Sequence, residues 1–161
     1  HHYSVVEGMG NYINTEIDRC REVVKEVDEF IVRNDKDGCI LATRCEWWDN
    51  YFNHLMKLVL ARQMFIERDT NGKIIGICGW ILTDKDHTNE INKTNWNLPE
   101  SINHGDIMYI SICVVEGNCM LKLYRRIKRI WFHHCKEVFW YNAPKSRFYR
   151  RHNILKESCY V

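Results

Sequence analysis

Asn71-Gly72 lies between two apolar runs, Met64-Phe65-Ile66-Glu67-Arg68 and Lys73-Ile74-Ile75-Gly76-Ile77-Cys78-Gly79-Trp80-Ile81-Leu82, and no other feature narrows the possible folds so far. An Asn-Gly pair adopts the left-handed backbone angles of a tight turn at little steric cost, so its flanks fold back on each other as antiparallel strands. The predicted hairpin spans residues 63–84. A further run, Ile107-Met108-Tyr109-Ile110-Ser111-Ile112-Cys113-Val114-Val115, is apolar and β-branched enough for a central strand, and Val138-Phe139-Trp140-Tyr141 reads as a short aromatic one.

Helices fill the remaining periodic stretches. Thr15-Glu16-Ile17-Asp18 has the look of a helix start, and Ile17, Cys20, Val24, Val27 and Ile31 recur at helical spacing up to Val32. Asn34-Asp35-Lys36-Asp37-Gly38 ends that helix. A second amphipathic helix is predicted over 46–62, carrying Trp47, Trp48, Phe52, Leu55, Met56 and Val59, and a third over 119–136 after the turn Glu116-Gly117-Asn118. Residues 85–105 are polar, with Pro99 and Gly105, and form a long excursion of the kind that caps a substrate site. A final strand is expected at 158–161, and any N-terminal strand would lie in 3–6. There is no internal repeat.

With 161 residues the chain is long enough for one real core and too short for two, so a single domain over 1–161 is expected. No apolar run is long enough to span a membrane, and no charged-then-apolar leader is visible. The chain opens on His1-His2 rather than Met, as a trimmed or partial chain would. Its eight cysteines form no CxxC pair and are scattered through helices and strands, which fits reduced thiols and a cytoplasmic setting better than a disulfide framework. His133-His134-Cys135 falls on a helix, where adjacent side chains diverge, so no metal is expected. Charge is uneven: residues 119–161 hold eleven Lys or Arg against two Glu, whereas residues 1–118 hold twelve against nineteen acidic residues. Such a basic end implies an anionic partner.

The C-terminal stretch carries the best clue to activity. Asn142 follows the aromatic strand, Tyr149 comes seven residues later in what reads as a short helix, and Asn153-Ile154 closes it. This order resembles the last block of the GNAT superfamily of acyl-CoA-dependent N-acyltransferases. Asn153 stands where that family has Gly, as a residue that tolerates the left-handed conformation, and Ile154 stands where it has a buried Phe. The resemblance implies a mixed α/β fold with a central, mostly antiparallel twisted sheet, splayed between the family's fourth and fifth strands and flanked by helices.

It also implies a site. Acetyl-CoA or another acyl thioester would meet the strand-turn-helix segment Cys113, Val114, Val115, Gly117, Asn118, Cys119 and Met120, with Lys122 and Asn142 beside it, and backbone N–H groups at 113–115 would polarise the thioester carbonyl. This segment has one glycine and lacks the family's glycine-rich signature, and Glu116 would oppose phosphate unless it points away. Tyr149 would protonate the leaving thiolate. Base candidates are Asp106, Tyr109, Ser111, Glu116 and His54. Gly79-Trp80, Trp96 and Gly105-Asp106 follow the order of the toxin-activating lysine acyltransferases, which use acyl carrier protein as donor; that similarity nominates Asp106 with His54. The acceptor would be a small-molecule amine or a protein lysine.

Two alternatives stand beside the enzyme. One is a catalytically inactive GNAT-like binding or assembly module, as among small phage proteins, and so virion-associated. The other is a basic nucleic-acid adaptor, because Trp131, Phe132, Phe139, Trp140 and Tyr141 interleave with Arg and Lys, although aromatics at this spacing are more often core.

Overall fold

The computed structural model describes the backbone of residues 2–154 and the side chains of residues 15–154. Five strands form one sheet in chain order: β1 (Met64–Arg68), β2 (Ile74–Thr83), β3 (Ile107–Val115), β4 (Glu137–Asn142) and β5 (Arg147–His152). β2 runs antiparallel to both β1 and β3, β4 runs parallel to β3, and β5 returns antiparallel to β4. The hairpin turns at Asn71-Gly72 as expected, with Gly72 at φ 83° and the Asp69 carboxylate accepting the N–H groups of Asn71 and Lys73 at 2.9 Å.

Four helices cover the sheet: α1 (His2–Asn34), α2 (Cys39–Arg44), α3 (Trp48–Leu60) and α4 (Met120–His134). Successive strand residues point to opposite faces, so two cores form. Val24, Val27 and Phe30 of α1 and Tyr51, Leu55 and Leu58 of α3 bury against Ile77, Ile81, Tyr109 and Phe139. On the other face Leu123, Ile127 and Trp131 of α4 pack on Cys78, Trp80, Met108 and Val138. A polar knot ties the first three helices: Asp28 of α1 accepts from Arg44 of α2 at 2.6 and 2.7 Å and from the Tyr51 hydroxyl of α3 at 2.7 Å.

Several elements depart from the sequence reading. α1 runs through both 3–6 and Thr15, so no strand forms there and the cap signal at Thr15 is bypassed; no proline interrupts the stretch, and a helix already under way outcompetes a local cap. α2 was not expected. It exists because Gly38, at φ 67°, reverses the chain and Asp35 accepts the N–H groups of Ile40 and Leu41 at 2.9 and 3.0 Å, capping a helix that buries Ile40. α3 is rotated from its predicted face: Tyr51, His54, Leu55 and Leu58 are buried, while Trp47 and Trp48 lie exposed.

The largest correction falls at the C-terminus. Residues 147–152 are a strand, not a short helix, so Tyr149 sits on β5. Asn142 Oδ1 accepts the Lys145 N–H at 3.1 Å, Ser146 takes φ 51°, and the chain reverses in four residues onto the edge of β4. Phe148 then completes an aromatic cluster with Tyr109, Phe139 and Tyr141, at centroid distances of 5.2–6.3 Å. The half-covered Phe148 ring's aromatic contacts, together with pairing of the β4 edge, outweigh the local helical pattern. Asn153 is not left-handed; its buried amide donates to the carbonyls of Phe132 and Cys135 at 3.1 Å and caps α4. Ile154 is 77% exposed, not buried. The strand expected at 158–161 lies outside the described residues.

Residues 84–106 wrap back on the core, with Trp96, Leu98 and Ile102 buried beside α1 and α3. Gly105 ends the excursion at φ 122°, where a Cβ would sit 1.9 Å from the Thr83 carbonyl oxygen, so only glycine fits this approach to β2.

Candidate active site: a cleft where two parallel strands part

β3 and β4 pair over four residues only, Ile107 to Ile110 against Glu137 to Trp140. Beyond that they separate, and a cleft of about 570 Å³ opens between them. Its walls are Ser111 to Val115 of β3, Trp140 to Pro144 at the end of β4, Met120, Tyr124 and Trp131 of α4, and the loop between α1 and α2. The backbone arrangement follows from the pairing with β2. Glu116 donates its N–H to the Ile75 carbonyl at 2.8 Å, so the pairs Ile77–Val114 and Gly79–Ile112, which alternate with it in register, also exchange hydrogen bonds with β2. The peptide groups of Cys113 and Val115 therefore point the other way, into the gap that β4 has left.

A β-bulge adjoins this point. Register shifts between Gly79 and Trp80, which face Ile112 and Ile110, so Ser111 has no register partner on β2 and only its hydroxyl reaches that strand, 3.4 Å from the Gly79 carbonyl oxygen. Trp80 instead donates its N–H to the Gln63 carbonyl at 3.0 Å, and the Gln63 amide donates to Trp80 and Ile102 carbonyls at 3.1 and 2.8 Å. The bulge frees Ser111 to turn toward α3. Gly79 allows α3 to come close, since a Cβ there would lie 2.6 Å from Leu58 Cδ1.

Ser111 Oγ lies 3.1 Å from His54 Nε2, and His54 Nδ1 lies 3.4 Å from the Trp96 carbonyl oxygen. A carbonyl only accepts, which assigns the proton to Nδ1 and leaves the Nε2 lone pair for the serine hydroxyl. Trp96 holds its carbonyl there with a left-handed backbone, φ 60°, and its indole N–H donates to Thr43 at 2.9 Å. A bulky residue at positive φ is strained. Burial is the main cause that pushes the His54 imidazole down to about 3, so the ring is neutral at neutral pH. Ser111 is part of the cleft lining and His54 part of the lining of a second cavity of about 410 Å³ that Trp96 and Asn50 also line, so the pair lies between the two.

The structure brings some expected residues together and separates others. Cys113, Val114, Val115, Met120 and Asn142 line the cleft. Gly117, Asn118, Cys119 and Lys122 do not: Gly117 turns the chain at φ 66°, Cys119 is buried with its sulfur against Gly76, and Lys122 is exposed on α4. Glu116 points toward Lys73, 3.9 Å away, and is not part of the cleft wall. Asp106 is no partner for His54; its carboxylate pairs with Lys136 at 3.1 Å below the zipped end of β3. Tyr149 stacks on Trp140 at 6.0 Å, behind the cleft wall, and Arg147 donates to its hydroxyl at 3.0 Å, which holds the phenol below its ordinary pKa.

Two participants were missed by sequence reasoning. Lys93, from the excursion, lines the cleft with its ammonium 5.0 Å from the Trp96 ring, and burial lowers its pKa. Trp96 orients His54 through a main-chain atom, which no side-chain motif reports. Among the described residues no group of His, Cys, Asp and Glu is arranged to hold a metal. No helix among them is long and apolar enough to cross a membrane. Compared with known proteins, the chain matches no family model and no curated protein.

Proposed function

We propose that this chain is a divergent GNAT-fold N-acyltransferase that accepts an acyl thioester in the cleft between β3 and β4. The observation that carries the reading is the early end of the β3–β4 pairing, which leaves the Cys113 and Val115 peptide groups facing a cleft large enough for an acylated pantetheine arm. N–H donors fixed in a strand need no reorganisation to meet the oxyanion of a tetrahedral intermediate. The amine attacks the thioester carbon, its proton passes to Ser111 as the Ser111 hydroxyl proton moves to His54 Nε2, and as the carbon–sulfur bond breaks the proton returns from His54 through Ser111 to the departing sulfur, which leaves as a thiol. Because His54 is a weak base, it acts as a relay during the step, not as a store of the proton.

The surface favours an acyl carrier protein as donor over free CoA. Lys122, Arg125, Lys128 and Arg129 are exposed on α4, and Lys128 reaches the cleft, whereas the turn 116–119 offers no residue to the cleft that could cradle a pyrophosphate. An acidic carrier face complements such a helix. The inactive binding module is the second reading, favoured by the withdrawal of Tyr149 behind Trp140.

Thermal-shift titration with acetyl-CoA and with an acylated carrier protein tests the proposal, together with acyl transfer to lysine peptides and small amines. A donor at a hundredfold excess over its dissociation constant stabilises the fold by about 2.7 kcal/mol. Stabilisation with transfer supports the enzyme, stabilisation without transfer supports the binding module, and neither effect rejects both.

A further inference from the structure

Cys78 on β2 and Cys113 on β3 stand directly opposite each other in the antiparallel ladder. The hydrogen-bonded rungs are Ile75–Glu116, Ile77–Val114 and Gly79–Ile112, so the Cys78–Cys113 rung is a non-hydrogen-bonded one. In such rungs the Cα atoms approach to about 4.5 Å and the side chains lie closest. That separation is within the range a disulfide spans without backbone movement, about 4.4–6.8 Å. Both side chains project to the α4 face and both line the cleft. Their environments differ: Cys78 is buried, and Cys113 is exposed into the cleft with its sulfur 4.0 Å from Met120 Sδ.

We propose that Cys113 and Cys78 form a thiol–disulfide exchange site opening into the cleft, with Cys113 as the attacking thiol and Cys78 as the resolving one, and with a low-molecular-weight disulfide as co-reactant. Cys113 attacks one sulfur of the incoming disulfide, forming a mixed disulfide and releasing the first small thiolate. Cys78, losing its proton, then attacks the Cys113 sulfur and releases the second. Two protein thiols are oxidised, one disulfide is reduced to two thiols, and the two protein protons leave with them. The inference is independent of acyl transfer and holds whatever occupies the cleft.

Three observations assign the roles. Attack requires access, and only Cys113 has it. The paired thiols interact so that the Cys113 pKa is lowered and the Cys78 thiol is pushed up, which favours the thiolate at Cys113. The other nearby thiol, Cys119, is buried against the β2 backbone at Gly76 and has no path to the incoming disulfide.

The test is equilibration of the full chain in glutathione buffers of increasing oxidised fraction, followed by non-reducing peptide mapping. The expected first product is a peptide pair linked through Cys78 and Cys113, formed before any other cysteine is modified. The Cys78→Ser variant should stop at glutathione attached to Cys113, and Cys113→Ser should leave Cys78 unmodified. The wild-type map decides the matter even if a variant does not fold. A first modification at any other cysteine, or glutathione persisting on wild-type Cys113 with Cys78 free, would overturn the proposal.

Discussion

The two halves of β3 have the same kind of sequence and opposite fates. Ile107 to Ile110 is bonded to β2 on one side and β4 on the other, and its side chains Met108 and Tyr109 are buried. After the bulged Ser111, Ile112 to Val115 keeps β2 but loses β4, and there the exposed Cys113 and the cleft appear. The first half supplies rigidity; the second offers free peptide groups held at a fixed place by the first. A site made this way depends little on which side chains line it, which accounts for the lack of a sharp motif.

The zipped half should respond most strongly to mutation. Phe139→Ala removes a buried ring that stacks on Tyr109 at 4.8 Å and touches Phe148 at 6.0 Å. A loss of about 3–5 kcal/mol is expected in denaturant unfolding, and donor binding should weaken because the second half loses its anchor. Unchanged binding in a destabilised but folded Phe139→Ala protein would show that the two halves are not coupled.

The hairpin, β3, α4 and β4 were legible because their patterns are local: Asn71-Gly72 fixes a turn, and β-branched runs fix strands. The β5 strand was not. Tyr149 lies seven residues from Asn142 in either conformation, and only the long-range placement of Phe148 against Tyr109 and Phe139 decides between them. The site was half legible for the same reason. Cys113 to Val115 were placed by their strand, but the partner of His54 depends on a bulge opposite Gly79 and on a strained Trp96 carbonyl, which arise only when α3 and the excursion meet the sheet. Asp106, chosen on resemblance, is held by Lys136 instead.

The open half touches a group that titrates on the acid side of neutrality, His54 of α3. His54 titrates near 3 when folded and near 6.5 when unfolded. Its folded pKa is depressed, so its contribution is fully present above 6.5 and is lost as pH falls toward 3, where the unfolded chain binds the extra proton. The slope is about 1.4 kcal/mol per pH unit between those limits. His54→Gln should flatten that slope relative to wild type in urea melts at stepped pH. For the same reason acyl transfer should show no inflection near pH 6.5 from His54.

Ser111→Ala probes the bulge itself. It leaves the buried His54 Nε2 without its hydroxyl partner, at a cost of about 1–3 kcal/mol. Transfer should fall by about 10²- to 10⁴-fold if the relay carries the amine proton, with donor binding retained in calorimetry. Equal losses of binding and turnover would mean that Ser111 shapes the cleft and takes no part in the proton's path.

The smallest effect is expected where the open half ends. Glu116 and Lys73 are 3.9 Å apart and both largely exposed, so Glu116→Gln should change stability by less than about 1 kcal/mol. Its value lies in separating donors. If the pyrophosphate of free CoA rested on the turn 116–119, removing a carboxylate beside it would tighten binding by roughly 2- to 5-fold at low salt, and less as ionic strength rises. A carrier protein seated on α4 places its phosphopantetheine arm without using that turn, and its affinity should hardly move. Calorimetry of both donors with Glu116→Gln thus reports whether the strand's open end is a phosphate cradle or only the rim of a cleft filled from the helix side.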